Sequence, residues 1–180
     1  MFAGQIRLRT FLLLVGSALG PSRVVRDVPS HRMRDDLLRL QRAGLQVRAV
    51  EDGLGCSGTP QPFALEQPDD PCLWIALALC AEGSSVLSGA QLRGRAGTEL
   101  VTELVRIGAD VLPRGELLYL GGGRERAPRG PVGTIKVEHA SAALALLLLG
   151  QAGLLPGAVI EVTTPTAAAA AGRFAEQTLG

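Results

Sequence analysis

The chain repeats one pattern, and that pattern limits its possible folds more than any other property. Three times an apolar helical stretch ends near a glycine and runs into a short β-branched strand. An amphipathic helix follows and closes on another glycine. The first copy has its apolar stretch at residues 6–19, the turn Gly20-Pro21-Ser22, a strand over 23–28 and an amphipathic helix over 33–43. In that helix Leu37, Leu38 and Leu40 are expected inward and Arg34, Arg39 and Arg42 outward, with Gly44 as its stop. The second copy has an apolar helix over 70–81, the turn Gly83-Ser84-Ser85, a strand over 85–88, a helix over 96–107 and the stop Gly108. The third has an apolar helix over 138–149, a strand over 158–162 and a helix over 167–178 before Gly180. From Gly20 to Gly44, Gly83 to Gly108 and Gly157 to Gly180 the spacings are 24, 25 and 23 residues.

The helix ends echo each other as well. Leu40-Gln41-Arg42-Ala43-Gly44-Leu45 parallels Leu104-Val105-Arg106-Ile107-Gly108-Ala109, and a glycine there suits the left-handed backbone that ends many helices. Strand pairs follow the first two stops. One pair spans 46–50 and 54–56 and turns at Glu51-Asp52-Gly53; the other spans 110–112 and 117–120 and turns at Pro113-Arg114-Gly115. Residues 121–131, rich in Gly, Pro and Arg, read as an exposed loop. Helices apolar all round belong inside a protein. The expected fold is therefore α/β: a single lobe over 1–180 of inside-out α/β barrel type. Its three βαβαββ-like repeats, at about 1–58, 59–123 and 132–180, would bury their helices behind outer sheets.

Composition narrows the function classes. Hydrophobic residues make up 47% and charged residues 19%, enough to build a core. Aromatic residues are 3%, which removes the stacking platforms of single-strand binders, and 18 basic against 17 acidic residues give no field for a polyanion or membrane. No nucleic-acid or membrane partner is expected. Cys56, Cys72 and Cys80 are odd in number and lack a CxxC spacing, so neither a disulfide framework nor a metal site is expected, and a reducing cytoplasm fits. Residues 7–18 mimic a secretory signal, but the repeat needs them within the fold. Residues 142–155 fall short of the ~20 apolar residues of a spanning helix.

Several residues carry a resemblance. Pro68-Asp69-Asp70-Pro71 leads through an Ala-rich helix to Ala81-Glu82-Gly83 and on to Leu92-Arg93, and Glu138-His139-Ala140-Ser141-Ala142 opens the third apolar stretch. These segments resemble the enolpyruvyl transferases, most of all the C-terminal lobe of the EPSP synthases (3-phosphoshikimate 1-carboxyvinyltransferases), over essentially the whole chain. The resemblance implies two similar lobes, each of three such repeats, closing on substrates between them. It places Asp69 on the acid/base aspartate. Arg93 falls on an anion-binding arginine, Arg95 on a lysine and His139 on the histidine of an Asp-His-Arg motif. Arg34 falls near an arginine-bearing loop. Ala96 stands where that pattern has its catalytic glutamate, and Ala140 where it has a phosphate-gripping arginine. Alanines at 167–170 replace a Lys-x-Phe-Pro.

These losses bear on chemistry. Enolpyruvyl transfer from phosphoenolpyruvate to shikimate 3-phosphate moves protons and holds a carboxylate and a phosphate. General acid–base groups contribute ~10²–10⁴-fold, and one preorganised charge roughly 3–4 kcal/mol. The resemblance therefore implies a transferase lobe of aromatic amino acid biosynthesis, inactive alone, with no cofactor. Its expected partners are a phosphoenolpyruvate-type anion and a complementary lobe or second copy. Two other readings stay open: a non-catalytic relative that binds a small phosphorylated anion or a protein, and a fragment without activity. The residues also have plain structural uses. Asp69 and Asp70 suit a helix N-terminus, His139 can cap a helix, and Arg93 and Arg95 can belong to a solvated loop.

Overall fold

The computed structural model describes residue 15 and residues 24–25, 34–51, 53–68 and 70–179. The chain divides into two compact units, Met1–Gln61 and Pro62–Gly180. The expected helix at 6–19 lies outside the described residues except for Val15, which is helical and buried.

In the first unit, β1 (Val24–Val25) pairs antiparallel with β3 (Gly53–Ser57), which forms a hairpin with β2 (Gln46–Val50). Helix α1 (Arg34–Arg42) precedes the hairpin. Leu40 is fully buried, but Leu38 is 48% exposed, a correction to its expected inward place. Leu37 and Leu40 keep one side of the helix, and Leu38 lies a step of about 100° round from Leu37, outside that stripe. At the helix end Leu45 N donates to Leu40 O and Gly44 N to Gln41 O, each at 3.0 Å, with Gly44 at φ 85°. That is the Schellman arrangement.

The second unit holds two βαβ crossovers. β4 (Ala64–Glu66) leads through α2 (Pro71–Cys80) into β5 (Gly83–Ser88), parallel to β4. After a 3₁₀ turn (Ala90–Arg93) and α3 (Arg95–Arg106), the hairpin of β6 (Val111–Arg114) and β7 (Leu117–Gly122) adds to β5, giving the order β4-β5-β7-β6. A further 3₁₀ turn (Arg124–Arg126) leads to β8 (Gly133–Val137). From β8 the chain passes through α4 (Ala140–Gln151) to β9 (Ala158–Val162), parallel to β8, and on to α5 (Pro165–Leu179).

The class is thus mixed α/β, with helices inside this unit. Cys72 to Leu79 of α2 are all buried, as are Ala142 to Leu146, Leu148 and Leu149 of α4, and the two helices pack together. One sheet face turns outward and carries Leu112, Leu117 and Tyr119. The amphipathic α3 buries Gly97, Leu100 and Leu104. The strands form three separate sheets among the described residues, not a closed barrel.

Four details differ from the sequence reading. Gly83-Ser84-Ser85 is strand from its first residue, because the antiparallel β7 pairs with it residue for residue, Gly83 with Gly122, Ser84 with Gly121 and Ser85 with Leu120. The β6–β7 turn is Gly115-Glu116, since Arg114 pairs with Leu117. β4 and β8 were not expected, being short or flanked by Gly and Pro. Finally, Gly121-Gly122-Gly123 is buried, with the first two residues closing β7. A Cβ on Gly122 would collide with the carbonyl oxygens of Ala81, Ala78 and Leu79, so only glycine lets β7 lie this close to the end of α2.

Candidate functional site

In the second unit the starts of four helices meet. Asp70 caps α2: its Oδ1 accepts from Cys72 N at 3.1 Å, and its Oδ2 accepts from Ser141 Oγ, in the first turn of α4, at 2.9 Å. A Cβ on Gly97, in the first turn of α3, would sit 3.3 Å from Pro71 Cγ, so α3 begins against the start of α2. Thr164, just before α5, donates through Oγ1 to Glu138 O at 2.6 Å. Each helix start carries free N–H groups and a positive partial charge. Four together make a pole that favours negative charge.

Two carboxylates already serve this pole. Burial lifts the Asp70 carboxyl above its ordinary value of 3.8, against the opposing pull of hydrogen bonds from Ser141, Leu73 and Cys72. Glu99, in the second turn of α3, accepts from Glu138 N at 2.6 Å and from His139 N at 3.1 Å. Its Oε2 also meets His139 Nδ1 at 3.0 Å. The sequence reading missed Glu99, Ser141 and the interhelical part of Asp70. A signal was there for Asp70, which precedes Pro71 as a cap should. None marked Glu99, whose partners lie 39 and 40 residues away.

The residues expected to carry chemistry fall as follows. Asp69 lies outside the described residues. Arg93 ends the 3₁₀ turn and Arg95 begins α3, both exposed and both at this pole. His139 is the N-cap position of α4, with no side-chain cap bond. Arg93, Arg95 and His139 therefore share one end of the second unit. Arg34 is the first residue of α1, in the other unit. Ala96 and Ala140 bring no charge.

The opposite end differs in character. There the C-terminal ends of α2, α3 and α4 surround a small apolar recess lined by Leu79, Leu104 and Leu149. Arg126 stands at its rim, donating to Ser84 Oγ at 3.1 Å and pairing with Asp110 at 3.4 Å. Cys56 and Cys72 are buried free thiols, burial raising Cys56 to about 11, and Cys80 is free and half-buried. Among the described residues no three His, Cys, Asp or Glu side chains gather as metal ligands, and no helix is long and apolar enough to cross a membrane.

No protein-family model and no curated protein sequence matches this chain. Solved structures do. The enolpyruvyl transferase NikO from Streptomyces tendae superposes with a TM-score of 0.73 at 17% identity, covering 96% of this chain and 42% of NikO. Two structures of EPSP synthase from Acinetobacter baumannii superpose at TM-score 0.64. They share 23% and 22% identity, covering 94% and 96% of this chain and 43% and 44% of theirs. At such identities the likeness is one of fold, and the chain spans less than half the length of each. It has the fold of the enolpyruvyl transferases, over an extent that fits one lobe.

Proposed function

We propose that both units together form one lobe of a carboxyvinyltransferase of the EPSP synthase kind, built from three βαβ-containing repeats. In this reading the pole where the helices start binds a phosphorylated, phosphoenolpyruvate-type anion through Arg93, Arg95 and His139. Asp69 acts as acid/base, Arg34 is a further anion contact, and a complementary lobe or second copy closes the site. The acceptor is shikimate 3-phosphate, the setting is cytoplasmic aromatic amino acid synthesis, and the chain alone does not turn over. The observation that carries this reading is the fold match over nearly the whole chain and only 42–44% of the transferases. Exposed arginines at a pole of helix N-termini support the anion.

A phosphate-release assay tests it, run on the purified chain alone and with a complementary N-terminal lobe. The expected result is no release alone and measurable release on mixing. Release by the chain alone would contradict the argument from Ala96 and Ala140.

A second reading is favoured by those same alanines and by Glu99, whose carboxylate already occupies the Glu138 and His139 amides. In it the chain is a non-catalytic relative that binds a small phosphorylated anion. Calorimetric titration with phosphoenolpyruvate, shikimate 3-phosphate and sulfate separates the two: binding without turnover on mixing supports the second, and no heat with any of them removes it.

A further inference from the structure

We propose that Glu99 is a positioning residue that fixes His139 in its Nδ1–H tautomer, so that Nε2 is presented to accept a proton from a hydroxyl on an anionic ligand. The ligand half rests on the anion-binding reading above, with Arg93 and Arg95 meeting the ligand's charge and His139 meeting its hydroxyl instead; the tautomer half does not rest on it.

The geometry assigns the proton. An ionised carboxylate only accepts hydrogen bonds, and Glu99 Oε2 lies 3.0 Å from His139 Nδ1, so Nδ1 carries the hydrogen. Glu99 is well placed to impose this. Its side chain is 17% exposed, and it is held on a second side by the Glu138 and His139 backbone amides, so the carboxylate cannot swing away without leaving three donors unpaired. The imidazole is 36% exposed, twice as open as its partner. With Nδ1 turned to the shielded carboxylate, the open edge is the one bearing Nε2. In the neutral ring that nitrogen has a lone pair and no hydrogen, so it matches a donor. Arg93 and Arg95 supply positive charge at the same pole, which makes an anion that also bears a hydroxyl the fitting ligand class. The hydroxyl donates its hydrogen bond to Nε2; the O–H bond breaks as its oxygen bonds to the carbon that receives it in the proposed transfer, the proton passing to Nε2, and the carboxylate then faces an imidazolium. This is the general role of a carboxylate behind a histidine.

The test is long-range ¹H–¹⁵N spectroscopy of the imidazoles in the full chain, at a pH where both histidines are neutral, with His31 as internal reference. The expected His139 pattern has a protonated Nδ1 and a bare Nε2. A protonated Nε2 or a mixture in the native protein overturns the assignment, and this needs no variant. In Glu99→Ala the pattern should move toward the Nε2–H form. A folded variant that keeps Nδ1–H would show that Glu99 does not set it. For the ligand half, sulfate, an anion with no hydroxyl, is compared with glycerol 3-phosphate. Only glycerol 3-phosphate should move the Nε2 resonance, while both move the Arg93 and Arg95 amides. Arginine amides that respond while Nε2 stays still refute the hydroxyl acceptor alone. Silence at both refutes the anion reading beneath it and leaves the tautomer result standing.

Discussion

Asp70 shows how one residue can tie two helices and still weaken with pH. It caps α2 and receives Ser141 from α4, yet burial raises its pKa above 3.8. The sign follows from linkage: an acid whose folded pKa is raised binds more protons folded than unfolded between the two values. Its contribution to stability is therefore full below 3.8 and is lost as pH rises through the higher folded value. Asp70→Asn keeps a cap acceptor for Cys72 N and can donate to Ser141 Oγ, so urea midpoints measured from pH 3 to 8 should lose that downward component. Asp70→Ala should cost about 0.5–2 kcal/mol at low pH through the lost cap, on top of the lost bond to Ser141. Glycines divide the same way. Gly122→Ala meets three carbonyl oxygens and should cost roughly 1–3 kcal/mol. Gly150→Ala, in α4 with open space around it, should gain about 0.4–1 kcal/mol in the same measurement.

Elements were the most legible level of the sequence, for reasons particular residues make plain. The stop glycines Gly44 and Gly108 were readable because the Schellman cap demands a left-handed residue, and α4 ends the same way, with Leu154 N on Leu149 O and Gly153 at φ 75°. α2 and α4 were readable as interior helices because no side of either is polar. β4 was not, since three residues carry too little pattern and its pairing with β5 is set by a crossover. The buried Gly121-Gly122-Gly123 read as loop because close approach of β7 to α2 leaves no mark in the local sequence. The candidate site was legible only in part: Arg93, Arg95 and His139 come to one pole, but Glu99 binds across 39 and 40 residues, beyond any local period. At this scale Leu77→Ala in α2 or Leu146→Ala in α4 should cost about 2–5 kcal/mol by chemical denaturation. Leu38→Ala, 48% exposed on α1, should stay within about 0.5 kcal/mol.

For the whole molecule, the second unit has two unlike ends. One gathers four helix starts with Arg93, Arg95 and His139; the other gathers helix C-termini around an apolar recess below Arg126 and Asp110. Helix dipoles favour anions at the first and disfavour them at the second. The chain matches less than half of NikO and of EPSP synthase in fold, and under the function proposed above it would share its site with another body. Its activity would then depend on that body, whereas anion binding would belong in part to the chain itself. The measurement that addresses this most directly is a phosphoenolpyruvate titration of the ¹⁵N-labelled chain, followed amide by amide. The account predicts saturable shifts at residues 93–97, 138–141 and 163–166, with Arg34 and Asp69 as the further responders. Shifts centred on Asp110 and Arg126, or none at any residue, would contradict it.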